Sequence, residues 1–264
     1  MSAADRPHSH HPPNSATGPD LAGFRALVAG GTGNVGRRIV SELLSAGATV
    51  AVPSRSQEKL NGLATQLELD PEARTRFIAV PGNLSDEDDG RRIVREVRST
   101  LGGLDGAAAS LGRWVAAPSL LAASRDDLEA ALQDYLFAHF EVARNVIPVL
   151  EESGGSYALI NGPLAFDVWS PESALVSIAT AGQAMLAHAL SKEMEARDGD
   201  SYVRVHEVVI HSAVGWGEEA EKRSPLKPDE IGRYVALLLS ERGAGVRGER
   251  VHLKSPDQLA ELAT

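Results

Sequence analysis

The sequence predicts an α/β protein built on a doubly wound parallel sheet of about seven strands, with helices on both faces. Three observations lead there. From Phe24 onward, short apolar runs alternate with longer helix-patterned segments. The runs are continuously apolar, which marks strands covered on both faces. Right-handed crossovers between such strands then wind helices onto both sides of the sheet.

The elements follow in order. FRALVAG (24–30) reads as the first strand and 34–46 as its helix. ATVAVPS (48–54) is the second strand, followed by a helix over 57–68. TRFIAVPGN (75–83) is the third, closed by a turn at Pro81 and Gly82. Ser85, with four acids behind it, reads as the N-cap of a helix running to Leu101. LDGAAAS (104–110) is the fourth strand, followed by a long helix over 126–151. SYALINGP (156–163) is the fifth, followed by a long, nearly uncharged helix over 172–197. YVRVHEVVI (202–210), a helix over 229–239 and GERVHL (248–253) complete the pattern. This is a Rossmann-type order, read as one domain over 21–264 behind a polar, disordered tail over 1–20.

Composition excludes several classes. At 43% hydrophobic and 23% charged, the 264 residues suffice for a large core. A formal net charge of −10 leaves no basic face for a nucleic-acid backbone, so no nucleic-acid partner is expected. There are no cysteines, hence no disulfides or thiolate metal sites, which fits a reducing cytoplasm. No apolar run approaches the ~18 residues that span a bilayer, and no membrane partner is expected. His8, His10 and His11 belong to the polar tail, and no metal site is expected. The 172–197 helix is expected to be buried on more than one face. Subunit packing is one way to achieve that, and a homo-oligomer, dimer or tetramer, is the expectation.

The informative stretch is Gly30-Gly31-Thr32-Gly33-Asn34-Val35-Gly36, between a strand and a helix. In that setting G-x-G-x-x-G is a dinucleotide fingerprint: glycine lets backbone approach a pyrophosphate, and the helix N-terminus offers free N–H groups. The alternative is a tight structural turn. After the second strand, where an acid would bind an NAD ribose, the chain reads Ser54-Arg55-Ser56. A guanidinium and two hydroxyls suit a 2′-phosphate, which favours NADP(H) over NAD(H).

With these motifs the chain resembles the short-chain dehydrogenase/reductase family over 22–255. The spacing Gly30-x-x-Gly33-x-x-Gly36 is similar to its extended or atypical branches, and Ser54-Arg55-Ser56 to its NADP(H)-preferring members. Asn83-Leu84 falls where the family contacts adenine. Ala109-Ser110-Leu111-Gly112 falls on its N-N-A-G motif, which adds Ser110 to the expected cofactor contacts. The resemblance implies a Tyr-x-x-x-Lys pair, but the four tyrosines are followed four places on by His139, Asn161, His206 and Leu238. Counting from Ala181-Gly182, Val176 and Thr180 take the family's Tyr and Lys positions. Tyr135 or Asp134 falls at its helix Asn, and Gly162, just after Asn161, at its Ser.

Substitute acid–base groups are Tyr135 and His211, the latter just after the sixth strand, with Asp134 and His139 behind them. Trp114, Trp169 and Trp216 each follow a strand, so they are expected to line an apolar pocket beyond the strands' carboxyl ends. The charged loop after Trp216 reads as a lid. Two functions stand at this point. One is an NADP(H)-dependent oxidoreductase with a rearranged site for a small apolar or aromatic carbonyl-type substrate. The other is an NADP(H)-binding protein of the same fold without dehydrogenase turnover, such as a sensor, scaffold, isomerase or cyclase.

Overall fold

The computed structural model describes residues 18–197, 202–215, 217–246, 248 and 250–263. Nearly all of the expected tail therefore lies outside the described residues, as does Trp216. In chain order the strands are β1 (Arg25–Ala29), β2 (Thr49–Ser54), β3 (Phe77–Pro81), β4 (Gly106–Ala109), β5 (Ser156–Asn161), β6 (Arg204–Ile210) and β7 (Arg250–Leu253). They form one sheet, β3-β2-β1-β4-β5-β6-β7, and every neighbouring pair is parallel. The sequence order reverses between β1 and β4, which opens a crevice at their carboxyl ends.

The helices are α1 (Gly36–Ser45), α2 (Gln57–Gln66), α3 (Pro71–Arg76), α4 (Glu87–Leu101), α5 (Arg125–Leu132), α6 (Ala138–Leu150), α7 (Ala174–Glu195), α8 (Glu218–Arg223), α9 (Pro228–Leu239) and α10 (Asp257–Ala263). Alternate strand residues feed two cores: Ala26, Val28 and Val208 pack with α1 and α9, whereas Leu27, Ala107 and Leu159 pack with α4, α6 and α7. α1 and α9 approach closely, because a Cβ on Gly232 would sit 2.4 Å from the Arg38 carbonyl oxygen.

Four expectations need correction. The N-cap of α4 is Asp86, whose carboxylate accepts from the amides of Asp88 and Asp89, rather than Ser85. Residues 71–76 form a helix that was not expected, and it takes 75–76 from the expected third strand: Asp70 caps Ala73 and Pro71 fills the first turn. The long helix over 126–151 is broken at Gln133–Phe137 by a π-helical turn. The segment read as a charged loop after Trp216 folds as α8.

Helix α7 is buried along the sheet, yet its Ile178 (41% exposed) and Met185 (64%) stay in solvent, as do Phe137 and Phe140 of the preceding segment. Over Pro171–Glu195 this helix is also long and apolar enough to cross a membrane by length and composition alone. Its packing against β6 explains that composition as a core helix.

Candidate active site

The glycine loop leaves β1 and enters α1, and its glycines answer to different constraints. A Cβ on Gly30 (φ +75°) would sit 2.0 Å from the Ser110 carbonyl oxygen, and one on Gly36 2.2 Å from the Gly30 oxygen. A Cβ on Gly31 would meet Val52 Cγ1 at 2.7 Å. These three are glycine because the fold has no room. Gly33 differs: its added Cβ would meet only the Gly30 oxygen, at 3.2 Å. Packing explains that position poorly, whereas close approach of a ligand explains it well.

Beside the loop lies a cavity of about 250 Å³, lined by Gly30, Thr32, Ser54, Arg55, Ser56 and Asn83, with Leu84, Lys59 and Arg113 around it. Ser56 Oγ caps α2 by accepting from the Lys59 amide at 3.2 Å, and the Ser54 hydroxyl accepts from the Ser56 amide at 3.3 Å. Arg113 is paired with Asp134. Arg55 makes no ion pair among the described residues. The cradle therefore fits a dinucleotide.

A second cavity, of about 560 Å³, shares Leu111 with the first. Trp114, Trp169, Leu164, Val176 and Ile210 form apolar walls, and Tyr135, Asn161, Thr180, Gln183 and His211 supply polar groups. Most of those groups are already engaged. Asn161 donates to Glu207 Oε1 at 2.8 Å and to the Thr180 carbonyl at 3.2 Å, and its own oxygen accepts from the Gly162 amide. Glu207, itself buried, is held by Arg250 from β7. The Thr180 hydroxyl donates to the Val176 carbonyl at 2.7 Å. Ser212 and Ser224 hydroxyls accept backbone amides.

Three groups remain uncommitted toward the cavity. Gln183 Nε2 donates to the Ile160 carbonyl at 2.7 Å, while its buried Oε1 has no partner among the described residues. His211 shares one ring nitrogen with His252 at 3.0 Å, leaving Nδ1. Burial, then the neighbouring His252 and Lys254, lowers its pKa, so it is neutral near pH 7. The Tyr135 hydroxyl, half-buried at this cavity, makes no hydrogen bond to a protein group among the described residues. Burial first, then the Asp134 charge, pushes that phenol up to about 12, so it stays a donor.

The π-helical turn sets the Tyr135 ring. An i→i+5 bond, Ala138 amide to Gln133 carbonyl, replaces the regular ladder, and such turns cluster at functional sites. His139, fully buried, lies 2.7 Å from the Tyr135 carbonyl through Nδ1 and 3.4 Å from Gln183 Nε2 through its other nitrogen. Burial lowers its pKa to about 4, so it is a neutral strut. The Tyr135 ring lies against Gly112 (φ +125°), where a Cβ would fall 2.2 Å from Cε1.

The structure thus gathers Gly30, Thr32, Ser54, Arg55, Ser56, Asn83 and Leu84 at one cavity. It gathers Val35, Tyr135, His211, Trp114, Trp169, Val176 and Thr180 at the other. Gly31, Gly36 and Ser110 stand behind the cleft as packing. Asn34 lies under the segment after β6, since a Cβ on Gly215 would meet its Nδ2 at 1.8 Å. Sequence reasoning missed Lys59, Gln183 and Arg223. Lys59 was legible, four residues beyond Arg55.

A glycine-cornered cleft at the carboxyl ends of a doubly wound sheet, continuing into an apolar cavity, defines a dinucleotide-binding α/β protein. Comparison with known proteins sharpens the class. The family model for short chain dehydrogenases matches residues 25–211, and the chain belongs to that family. An uncharacterized oxidoreductase of Escherichia coli K12 is 27% identical over 240 residues, covering 85% of this chain and 79% of its own length. Among solved structures, a short chain oxidoreductase from Pseudomonas aeruginosa PAO1, described as containing an atypical catalytic center, is 25% identical. Its TM-score is 0.77, covering 89% of this chain and 97% of the other. A Burkholderia cenocepacia short chain dehydrogenase in complex with NADP shares the fold at 24% identity, with TM-score 0.75, covering 90% of this chain and 99% of its own.

Proposed function

We propose that the protein is an NADP(H)-dependent oxidoreductase acting on a small apolar or aromatic carbonyl-type substrate, from a site rearranged around Tyr135. When bound, NADPH supplies a hydride to the carbonyl carbon, and the proton for the carbonyl oxygen comes from the protein. The observation that carries the reading is the Tyr135 phenol, protonated at neutral pH and without a hydrogen-bond partner among the described residues, in a cavity where Asn161 and Thr180 are already engaged. Gly112 and His139 hold it, while Trp114 and Trp169 supply apolar surface to the cavity. Arg55 would take the 2′-phosphate, with Lys59 beside it, which favours NADP(H). The Pseudomonas oxidoreductase with an atypical catalytic center has been solved with NADPH bound, which supports the pairing of this cofactor with a departed motif.

The test is in two parts. Fluorescence titration should show NADPH binding more tightly than NADH. A panel of aromatic and branched aldehydes and ketones should then consume NADPH, and Tyr135→Phe should abolish most of that turnover while leaving NADPH affinity intact. A second reading, binding without turnover, is favoured by one observation: Val176 and the tied Thr180 hydroxyl leave no acid where the family places its Tyr and Lys. Tight NADPH binding with no turnover across the panel would select it.

We also propose a cytoplasmic homo-oligomer that buries the exposed apolar side chains Phe137, Phe140, Ile178 and Met185. Met185→Glu should shift the mass measured by light scattering toward one subunit.

A further inference from the structure

We infer that the substrate of the second cavity is an aromatic or bulky apolar compound bearing a carboxylate, and that Arg223 of α8 receives that carboxylate. This rests on the oxidoreductase reading only for the location of the site; the charge argument stands on the residues themselves.

The walls set the apolar part. Trp114 and Trp169 face a volume of about 560 Å³ together with Leu111, Leu164 and Val176. Flat aromatic walls suit a flat or bulky apolar guest. The charge distribution sets the other part. The chain carries 36 acidic residues against 26 basic ones, yet no Asp or Glu lines this cavity among the described residues. Arg223 is the single Lys or Arg that does.

Its neighbours do not neutralise it. Glu218 and Glu219 pair with Lys222, and Glu221 accepts the Gly215 amide at 2.6 Å. Arg223 itself donates Nε to the Glu219 carbonyl at 3.1 Å and makes no ion pair among the described residues. Contrast Arg113 at the first cavity and Arg250 behind the second, each paired with a carboxylate of the protein. The cleft therefore holds an unpaired arginine in each cavity, Arg55 in one and Arg223 in the other. A guanidinium at the rim of an apolar pocket selects a planar, bidentate anion, and carboxylate is the smallest group that satisfies it.

The rival anion is the pyrophosphate of the cofactor, and the experiment separates the two. The full-length protein is titrated with 2-naphthoate and with the uncharged 2-naphthamide, with and without NADPH, using calorimetry. The wild type should bind naphthoate about 10–100-fold more tightly than the amide, as a charge-assisted hydrogen bond implies. Arg223→Gln should remove that preference without changing NADPH affinity, and Arg223→Lys should restore part of it. Equal affinity for both probes in the wild type, no binding of either, or a preference that survives Arg223→Gln would overturn the proposal. Loss of NADPH affinity in Arg223→Gln with the preference intact would assign Arg223 to the cofactor phosphates instead. Failure of the wild type to bind NADPH would count against the oxidoreductase reading alone, since probe binding is measured without it.

Discussion

Replacing His206 with leucine should stabilise the protein and halve a specific part of its acid sensitivity. His206 sits in β6, fully buried, and neither ring nitrogen has a hydrogen-bond partner among the described residues. Burial first, then the Arg204 charge, lowers its pKa to about 3, and His139 is lowered by burial to about 4. A histidine with a depressed folded pKa stays neutral in the fold, while the unfolded chain takes up a proton below pH 6.5. Stability therefore falls as pH drops through 6.5 toward the folded value. At about 1.4 kcal/mol per pH unit, each residue costs about 2 kcal/mol between pH 7 and pH 5, or about 4 kcal/mol for the pair. The partly buried His211 and His252, also lowered, add in the same sense. Glu42, whose pKa burial raises, opposes them. The lowered Asp105 loses its contribution only below its ordinary carboxylate range, outside this window. None of these is touched by the substitution. His206→Leu should then lose about 2 kcal/mol less than wild type between pH 7 and 5, and gain about 1–3 kcal/mol at pH 7 by removing an unsatisfied polar ring. Urea unfolding followed by far-ultraviolet circular dichroism at both pH values measures both effects. An identical pH loss in the two proteins, or a variant less stable at pH 7, would refute the argument.

Other outcomes follow from the cleft. Arg55→Ala should weaken NADPH binding by about 10–100-fold and leave NADH unchanged, read by calorimetry, because one charge-assisted pair is removed. Tyr135→Phe should lower kcat by about 10²–10⁴-fold; in the wild type the phenol, raised to about 12, should give no alkaline fall in rate below roughly pH 11. A Gly112→Ala protein should retain NADPH affinity while losing most turnover, since the new Cβ displaces the Tyr135 ring. Gly30→Ala should fold poorly or bind no dinucleotide, which thermal melting with and without NADPH would show, because its Cβ collides with the backbone of Ser110.

The sheet was legible because parallel strands buried on both faces leave continuous apolar runs, and all seven were found to within two residues at either end. Helix α3 was missed although Asp70-Pro71 is a clear start signal, because it is only six residues long and its last two were read into the strand. The π-helical turn has no signal in apolar spacing: inserting one residue into a helix alters register by a fraction of a turn, which 133–137 hides among mixed residues. The cofactor loop was legible since glycine reports backbone geometry directly. The chemistry was less so. That Tyr135 lies free and Asn161 lies committed depends on Glu207 and Thr180, partners far off in sequence. Arg223 escaped notice because nothing local marks an arginine amid glutamates as unpaired.

The link from Arg250 to Glu207 to Asn161 carries a temporal consequence. The carboxylate belongs to the sixth strand and its counter-ion to the seventh, so a nascent chain that has emerged only as far as Ile210 holds an acid with no cation to accompany it inside. Desertion of one partner in a buried pair costs about 3–5 kcal/mol. The edge strand thus supplies the counter-ion for the acid that holds Asn161, and that side of the second cavity is complete only with β7 in place.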